Sequence, residues 1–344
     1  MITVENVSQL ILRHRASLPE VPIELIGPAA DGLFREIATP IRPVKLATDR
    51  FGVFRVLEKM GADVRFEPWA KTKNSLACII LNLPREKARL AMRLHEASAR
   101  LAPGGRLFLA GANRAGIKSS PRVLDQFFFR VEKRDSARHC TLFEASDTRS
   151  GKPFEPNDYE HRWTLDVPGA SVQIASLPGV FAHGRLDLGS ALLLDSLQAL
   201  QPSGRILDFA CGAGVIGLAL LATGASGEVT LLDDSALALE CAGRSLEING
   251  LRANRLASDG LSEANGRYDW IVSNPPFHQG VNNDLDVARA FFRDAGTFLA
   301  ENGRICVVFN RHLPYGRWLR ESFNRVEILA QNREFTVLSA RNKQ

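Results

Sequence analysis

In the second half of the chain, short apolar runs alternate with longer stretches whose apolar residues recur at helical spacing. Alternation of this kind is typical of βαβ units, which place parallel strands in one sheet with helices on both faces. We therefore predict an α/β fold for this half, with strands over 205–209, 229–232, 270–272 and 305–309, and helices over 215–221, 236–249 and 284–299.

The first half repeats this pattern more faintly. Residues 101–109 resemble residues 299–307, and ahead of them residues 78–84 resemble residues 271–276. Because the two matches run in the same order, they favour an internal duplication. We predict two tandem Rossmann-like domains, each a mostly parallel sheet flanked by helices, with the N-terminal copy degenerate.

A polar stretch over 147–157 combines glycine, proline and charge without periodicity, which indicates a linker. We predict domains over 1–150 and 151–344, a division that suits 344 residues of which 45% are hydrophobic. A hairpin over 163–175 is expected directly after the linker, with Pro168-Gly169 as its turn.

The net charge of +5 and the sequence pI near 9.1 favour a polyanionic partner. Five cysteines without a Cys-x-x-Cys pair argue against a disulfide framework and against a zinc site. The N-terminus has no secretory signal, and no run approaches the ~18 apolar residues of a membrane span. We expect a cytoplasmic protein with no membrane partner.

A glycine-containing turn follows the first predicted strand of the second half: Asp208-Phe-Ala-Cys-Gly212-Ala-Gly214. Glycine lets backbone N–H groups approach a ligand closely. About twenty residues later, Asp233 ends the next strand, where a carboxylate can accept both hydroxyl hydrogens of a ribose. The third glycine of a dinucleotide fingerprint is missing, which disfavours hydride transfer. Asp208 suits a ligand with a cationic amino acid moiety.

The most specific motif is Asn274-Pro275-Pro276-Phe277, at the carboxyl end of a strand. The prolines fix the backbone and remove N–H donors, so the Asn274 side-chain oxygen and the Pro275 carbonyl remain as acceptors. Both can receive hydrogens from one planar amino group and orient its lone pair toward a methyl donor. Phe277 offers a face for base stacking, worth roughly 1–3 kcal/mol. The motif predicts methylation of an amino group.

The acceptor of the methyl group stays open on these residues alone. An exocyclic amine of guanine or adenine and a protein glutamine amide all present a planar –NH2 group, although the basic first half favours nucleic acid. A non-catalytic RNA-binding or chaperone protein is an alternative of a different class. The intact glycine turn and acceptor motif argue against it.

Residues 205–280 resemble the class I methyltransferases that carry an Asn-Pro-Pro-aromatic motif. Further segments, at 111–117, 133–138, 177–190 and 313–315, are similar to the ribosomal RNA guanine-N2 methyltransferases. The resemblance is strongest to the branch that acts on 16S rRNA, and the large-subunit branch is its near neighbour. It implies S-adenosyl-L-methionine as cofactor without a metal, transfer to guanine N2 (family site G1207), a monomer, and 16S rRNA in the 30S subunit or an assembly intermediate as partner.

The same resemblance implies roles for individual residues. Ala210 stands where the family turn usually has its first glycine, and a left-handed backbone there would be strained. The methionine part of the cofactor is expected at Gly212 and Gly214, the ribose at Asp233, and the adenine by Ser258-Asp259. The implied cofactor-binding residues are Asp208, Ala210, Gly212, Gly214, Asp233, Asp259 and Asn274, and the implied catalytic residues are Asn274, Pro275, Pro276 and Phe277.

Basic residues form three clusters in the first half. The first lies on a predicted helix with an apolar stripe (Leu90, Ala91, Leu94 and Leu101), so we expect it to project to solvent. Lysines and arginines in a domain without chemistry favour contacts with the RNA backbone and a role in stabilising the catalytic half. Asp187 and Asn310 are further pocket candidates. The clusters are Arg85, Lys87, Arg89 and Arg93; Arg114, Lys118 and Arg122; and Arg130, Lys133, Arg134 and Arg138.

Overall fold

The structure is a computed structural model that describes residues 4–71, 75–84, 86–149, 151–275 and 282–341. The chain separates into two compact units, Met1–Tyr159 and Glu160–Gln344. Within the described ranges, no helix is both long and apolar enough to cross a membrane. All five cysteines lie in the described ranges, where they are buried and form no disulfide.

The N-terminal unit alternates strands and helices before it ends in two long antiparallel strands. Its elements are α1 (Asn6–Arg13), β1 (Ile23–Ile26), α2 (Leu33–Ile37), β2 (Val44–Thr48), α3 (Phe51–Lys59), β3 (Val64–Phe66), β4 (Leu76–Asn82), α4 (Lys87–Arg100), β5 (Leu101–Ala112), α5 (Pro121–Leu124), β6 (Phe128–Ala137) and β7 (Cys140–Thr148).

The C-terminal unit opens with the predicted hairpin and then alternates in the same way. Its elements are β8 (His161–Val167), β9 (Ala170–Ser176), α6 (Leu188–Leu200), β10 (Ile206–Phe209), α7 (Val215–Ala222), β11 (Val229–Asp233), α8 (Ala236–Ile248), β12 (Asn254–Ala257), β13 (Tyr268–Ser273), α9 (Asn282–Ala295), β14 (Leu299–Asn310), α10 (Tyr315–Ser322), β15 (Arg325–Gln331) and β16 (Phe335–Arg341).

Both units contain a seven-stranded sheet with the same strand order. The N-terminal order is β3-β2-β1-β4-β5-β7-β6, and the C-terminal order is β12-β11-β10-β13-β14-β16-β15. In each sheet neighbouring strands are parallel as far as the fifth, and the last two pairings are antiparallel. The predicted α/β fold, with two tandem Rossmann-like domains, is confirmed.

The repeat extends to single residues in β5 and β14. The two strands have the same length and the same order of buried and exposed positions along them. Each begins at its leucine, Leu101 or Leu299, directly before a glycine-containing stretch. Our predicted helix over 284–299 therefore ends too late, because α9 stops at Ala295 and Leu299 already pairs with Tyr268 of β13.

Burial explains why β10, which lies inside the parallel part of the C-terminal sheet, is mostly apolar. All four residues of β10 are buried, as expected of a parallel strand covered by helices on both faces. Helix α7 is buried over most of its length, which fits its nearly all-apolar sequence. Helix α8 begins at a serine N-cap, where the Ser235 hydroxyl accepts a hydrogen bond from the Ala238 N–H.

The first basic cluster corrects one prediction. Arg89 and Arg93 do not project to solvent: both are buried, and both bind Asp49 Oδ2, at 2.9 and 3.3 Å. Arg93 also pairs with Glu96 of its own helix at 2.9 Å. Burial alone would raise the pKa of Asp49, but the adjacent Arg93 and Arg89 lower it below its ordinary value. These arginines stabilise the N-terminal unit internally. Lys87 is exposed, and Arg85 lies outside the described residues.

Candidate active site

The predicted cofactor residues lie at the carboxyl ends of four adjacent strands. The order β12-β11-β10-β13 places side by side the segments that follow these strands. Phe209 pairs with Ser273 and with Leu232, so the turn after β10 lies between Asp233 and Asn274. Ligands of open α/β sheets bind at this edge. The predicted sites on the glycine turn and at Asn274 are therefore on the same side of the unit.

The turn after β10 has a left-handed backbone at three positions. Ala210, Gly212 and Gly214 have φ values of +56°, +57° and +83°. Glycine adopts this conformation freely, whereas alanine pays roughly 1–2 kcal/mol. The strain predicted for Ala210 is thus present: the residue is left-handed where the resemblance implies a glycine.

The two glycines of the turn are required for different reasons. A Cβ added at Gly214 would come within 2.5 Å of a Leu218 methyl and within 3.3 Å of the Ala242 Cβ, so this glycine allows the turn to pack on helices α7 and α8. A Cβ added at Gly212 would meet no atom within 4 Å. The space in front of Gly212 is open, as a cradle for a ligand must be.

Asp233 is held directly against the glycine turn. Its Oδ2 accepts a hydrogen bond from the Gly212 N–H at 2.9 Å, and its Oδ1 accepts one from the Ser235 N–H at 2.8 Å. The neighbouring strand brings Ser258 alongside, since the Ser258 N–H donates to the Asp233 carbonyl at 3.1 Å. Asp259 follows Ser258 at the same edge. The orientation of the Asp233 carboxylate is therefore fixed by the backbone of the turn.

Asp208 lies beneath the turn and has no exposed surface. Its Oδ2 accepts a hydrogen bond from the Gly217 N–H of α7 at 2.9 Å, and its Oδ1 is buried without a hydrogen-bond partner. The pKa of Asp208 is raised to about 7, mainly by burial and in part by the nearby Asp233 carboxylate, against the lowering effect of the Gly217 bond. Asp208 therefore connects β10 to the first turn of α7, below the open space.

Asn274 is the best-defined side chain of the acceptor motif. Its Nδ2 donates to Asp187 Oδ2 and to Ser190 Oγ, both at 2.9 Å. Its Oδ1 is buried and has no hydrogen-bond partner. The preceding residue is fastened as well, because the Ser273 hydroxyl donates to the Phe209 carbonyl at 2.8 Å. Pro275 is buried, while Pro276 and Phe277 lie outside the described residues.

Three residues near this motif also belong to the candidate site, and one of them, Ser190, was not predicted from the sequence. Asp187, one of the predicted pocket candidates, contacts Asn274. Ser190, which also contacts Asn274, was missed. The Leu-Asp-x-Gly-Ser segment before α6 held the signal, because an aspartate N-cap precedes a polar residue on the first turn. Asn310, at the end of β14, also has a buried Oδ1 without a partner.

The N-terminal sheet lacks these groups at the matching positions. By strand register Leu25 takes the place of Asp208, and Thr48 takes the place of Asp233. Asn82 corresponds to Asn274, but Leu83 follows it where the C-terminal unit has Pro275. The carboxyl edge of this sheet therefore lacks the ribose carboxylate and the first proline of the motif, although Asn82 Oδ1 is also buried without a hydrogen-bond partner. Among the described residues of the whole chain, no group of three or more metal-ligand side chains occurs.

A seven-stranded sheet of this order, with a glycine turn after one strand and an acidic residue after the next, defines a class I methyltransferase domain. Family models agree: "Methyltransferase small domain" matches residues 171–339, and "Methyltransferase small domain N-terminal" matches residues 8–163. The chain belongs to the ribosomal RNA small subunit methyltransferase C family, as its relatives show over nearly their whole length.

Two of these relatives and one solved structure illustrate the similarity. The ribosomal RNA small subunit methyltransferase C of Shewanella halifaxensis is 36% identical over 97% of this chain and 98% of its own. That of Pseudoalteromonas atlantica is 34% identical over 97% and 98%. The T. thermophilus 16S rRNA N2 G1207 methyltransferase, solved with AdoMet and guanosine, superposes with a TM-score of 0.86 at 27% identity and covers 98% of this chain and 92% of its own.

Proposed function

We propose that this protein transfers a methyl group from S-adenosyl-L-methionine to the exocyclic N2 amino group of a guanine in 16S rRNA. Its substrate is the 30S subunit or an assembly intermediate in the cytoplasm, on which it acts as a monomer. One observation carries the proposal: the Asn274 Oδ1 is a buried acceptor without a donor, at the strand end beside the glycine turn. Buried acceptors are rarely left unpaired, and a substrate amino group satisfies this one.

The residues at the carboxyl edge fit the cofactor. The open space at Gly212 admits the methionine part against the backbone of the turn, and the fixed Asp233 carboxylate accepts the ribose hydroxyls. Asp259, after β12, lies where the adenine is expected. Asp208 does not need to touch the cofactor, since its carboxyl group organises the turn through Gly217. When bound, the cofactor supplies an electrophilic methyl group on a sulfonium.

The protein contributes orientation more than acid–base chemistry. The lone pair of a guanine amino nitrogen is delocalised into the ring, which makes the nitrogen a poor nucleophile. Asn274 Oδ1 and the Pro275 carbonyl each accept one amino hydrogen, which draws the nitrogen toward a tetrahedral geometry and aims its lone pair. Correct placement of two reactants supplies a large part of the barrier reduction in such displacements. Pro276 and Phe277 complete the acceptor motif, with Phe277 as the stacking face for the base.

We assign RNA contacts to exposed cations of the N-terminal unit. Arg130 and Arg134, of the third cluster, already form ion pairs with acidic neighbours, at 2.9 Å to Asp147 and at 3.2 Å to Glu144. In the second and third clusters, the cations that remain for phosphate are exposed and lie on the segments after β5 and around the β6–β7 hairpin. They are Arg114, Lys118, Arg122, Lys133 and Arg138.

The decisive test is nucleoside mass spectrometry of 16S rRNA after incubation with the protein and S-adenosyl-L-methionine. We expect N2-methylguanosine at a single site. Asn274→Ala should lower the yield by at least a hundredfold, because the amino group loses one of its two acceptors. Calorimetry serves as the control: the variant should bind S-adenosyl-L-methionine as tightly as the parent. N6-methyladenosine, or no methylated nucleoside from the parent protein, would refute the proposal.

A further inference from the structure

We propose that Asp187 and Ser190 are positioning residues that fix the amide of Asn274, so that its oxygen and not its NH2 group faces the substrate. This inference rests on the proposed function, since it explains how the acceptor motif presents an acceptor. It assigns a catalytic purpose to the start of helix α6, a segment outside the glycine turn and outside the Asn-Pro-Pro motif.

An asparagine side chain does not itself determine which of its two ends faces a ligand. The carbonyl oxygen and the amide nitrogen are nearly equal in size, and a half-turn about the last bond exchanges them. Methyl transfer requires the oxygen, because an amino group pointed at another amino group places donor against donor. The neighbours of Asn274 must therefore distinguish its two ends.

Asp187 makes this distinction because the oxygen that it turns toward Asn274 is a hydrogen-bond acceptor. An ionised carboxylate only accepts hydrogen bonds, so only the NH2 end of Asn274 can bind it. The observed Nδ2-to-Oδ2 distance of 2.9 Å is that of a good hydrogen bond. In the flipped amide, Oδ1 would face the carboxylate, and two acceptors would meet. A hydrogen bond to a charged group also contributes more than a neutral one.

Ser190 uses the second hydrogen of the same amide group. Its Oγ lies 2.9 Å from Asn274 Nδ2, so both hydrogens of the NH2 group are engaged. The hydroxyl is buried, on the first turn of α6. With both donors satisfied, Oδ1 is the one polar atom of the side chain left for the substrate, which matches its unpaired state.

The start of helix α6 fixes Asp187 and Ser190, which we call the clamp residues. Asp187 is the N-cap of α6, and the same Oδ2 accepts the Ser190 N–H at 2.9 Å. A Cβ at Gly189 would come within 3.0 Å of this oxygen and 3.1 Å of the Phe335 ring, so the residue between them is glycine. Asp187, Ser190 and Asn274 thus form one compact unit whose geometry is set by the first turn of α6.

The experiment compares four variants by single-turnover methyl transfer on 16S rRNA and by calorimetry with S-adenosyl-L-methionine. Asp187→Ser keeps an N-cap oxygen but shortens the side chain, so the cap survives and the bond to Asn274 is lost. Asp187→Asn keeps an oxygen at full reach. Ser190→Ala removes the second acceptor. Asp195→Ser is the matched control. Asp195 is an exposed aspartate of the same helix, and it lies near the residues at the amino ends of β10 and β11, away from the candidate site.

Asp187→Ser should lower the transfer rate on the order of ten- to a hundredfold while leaving cofactor affinity unchanged, as expected for a misplaced acceptor. Asp187→Asn should keep most of the parent's rate, because the Ser190 N–H holds its side-chain oxygen, and not its NH2 group, toward Asn274. Ser190→Ala should lose only about a few-fold because the carboxylate remains. Asp195→Ser should behave as the parent. Equal rates for Asp187→Ser and Asp195→Ser, with an active parent, would overturn the clamp, and loss of cofactor binding in Asp187→Ser would make Asp187 a cofactor ligand instead. A parent without any transfer would refute the proposed function itself.

A spectroscopic readout reports the clamp without catalysis. In protein labelled with 15N-asparagine, the side-chain NH2 signals of Asn274 are those that disappear in Asn274→Ala. Asp187→Ser and Ser190→Ala should both move these signals, because each removes an acceptor from one of the two hydrogens. Asp195→Ser should leave them in place. Unmoved signals in both clamp variants would contradict the proposed hydrogen bonds.

Discussion

At the scale of single residues, the two glycines of the turn differ in the space next to their Cα atoms. Gly212 and Gly214 are two residues apart and both left-handed, yet one faces open space and the other faces the side chains of α7 and α8. The sequence predicted both as cofactor contacts. It could not separate their roles, because the atoms opposite Gly214 come from Leu218 and Ala242, which only the fold brings together.

We expect Gly212→Ala and Gly214→Ala to differ in kind. Gly212→Ala should cost about 1 kcal/mol in unfolding free energy, the strain of a left-handed alanine, and should abolish cofactor binding because its methyl enters the open space. Gly214→Ala should lose several kcal/mol through overpacking as well as strain. Thermal unfolding together with calorimetry separates the two. Undiminished cofactor affinity in Gly212→Ala would show that the space holds no cofactor.

The raised pKa of Asp208 makes us expect that the free energy of unfolding depends on pH. Its pKa is about 7 in the folded protein and near 3.8 when unfolded, so between these values only the folded state keeps the proton. Unfolding free energy therefore falls as pH rises from about 4 to 7, by up to roughly 1.4 kcal/mol per pH unit, and stays low above 7. Asn at 208 carries no charge and can still accept the Gly217 N–H.

The measurement is denaturant unfolding of the cofactor-free protein at pH 5 and pH 8. The stability of Asp208→Asn relative to the parent should be higher at pH 8 than at pH 5, by roughly 2–3 kcal/mol. A difference that does not change with pH would mean that Asp208 titrates in its ordinary range.

At the scale of elements, the turn of the hairpin between β6 and β7 has a strained backbone. Its two turn residues, Arg138 and His139, both have left-handed φ values, of 52° and 59°. Asn-Gly is the favoured pair for such a turn. Both side chains line a cavity of about 650 Å³ together with Arg114. Strained residues in place of Asn-Gly, one of them an exposed arginine, support a role for this turn in binding RNA phosphate.

Replacing Arg138-His139 by Asn-Gly should therefore raise stability and weaken RNA binding at once. We expect a gain of about 1 kcal/mol in unfolding free energy, and a salt dependence of RNA affinity that is shallower by about one unit per lost phosphate contact. Arg55→Gln is the control, since it removes one exposed cation that is ion-paired with Glu58. RNA affinity and salt slope equal to those of the parent would remove the hairpin from the RNA surface.

Elements were predicted well wherever apolar periodicity decides them, as in β10, β11 and α8. The prediction failed where tertiary partners decide. Arg89 and Arg93 lie on a helix face that a sequence pattern assigns to solvent, and Asp49, from the end of β2, makes their burial possible. The end of α9 was placed too late for a similar reason, because Leu299 pairs with Tyr268 instead of continuing the helix.

At the scale of the whole molecule, one topology occurs twice and only one copy keeps the groups for chemistry. The identical strand order of the two seven-stranded sheets confirms the repeat that short sequence matches indicated. At the positions that match Asp208, Asp233 and Pro275, the N-terminal copy has Leu25, Thr48 and Leu83. In the site, the sequence could predict the residue types and the edge at which they meet. The orientation of the Asn274 amide depends on Asp187, 87 positions earlier, and only the fold reveals it.

The central claim is that Asn274 and Pro275 face a methyl donor seated over the glycine turn. A crystal structure of this protein with S-adenosylhomocysteine and guanosine tests it most directly. The account predicts the cofactor sulfur over Gly212–Gly214, the ribose on Asp233, and the guanine N2 within hydrogen-bond distance of both Asn274 Oδ1 and the Pro275 oxygen, about 2.7–3.2 Å. A guanine with its N2 turned away from these two oxygens, or a cofactor bound away from the turn, would contradict it.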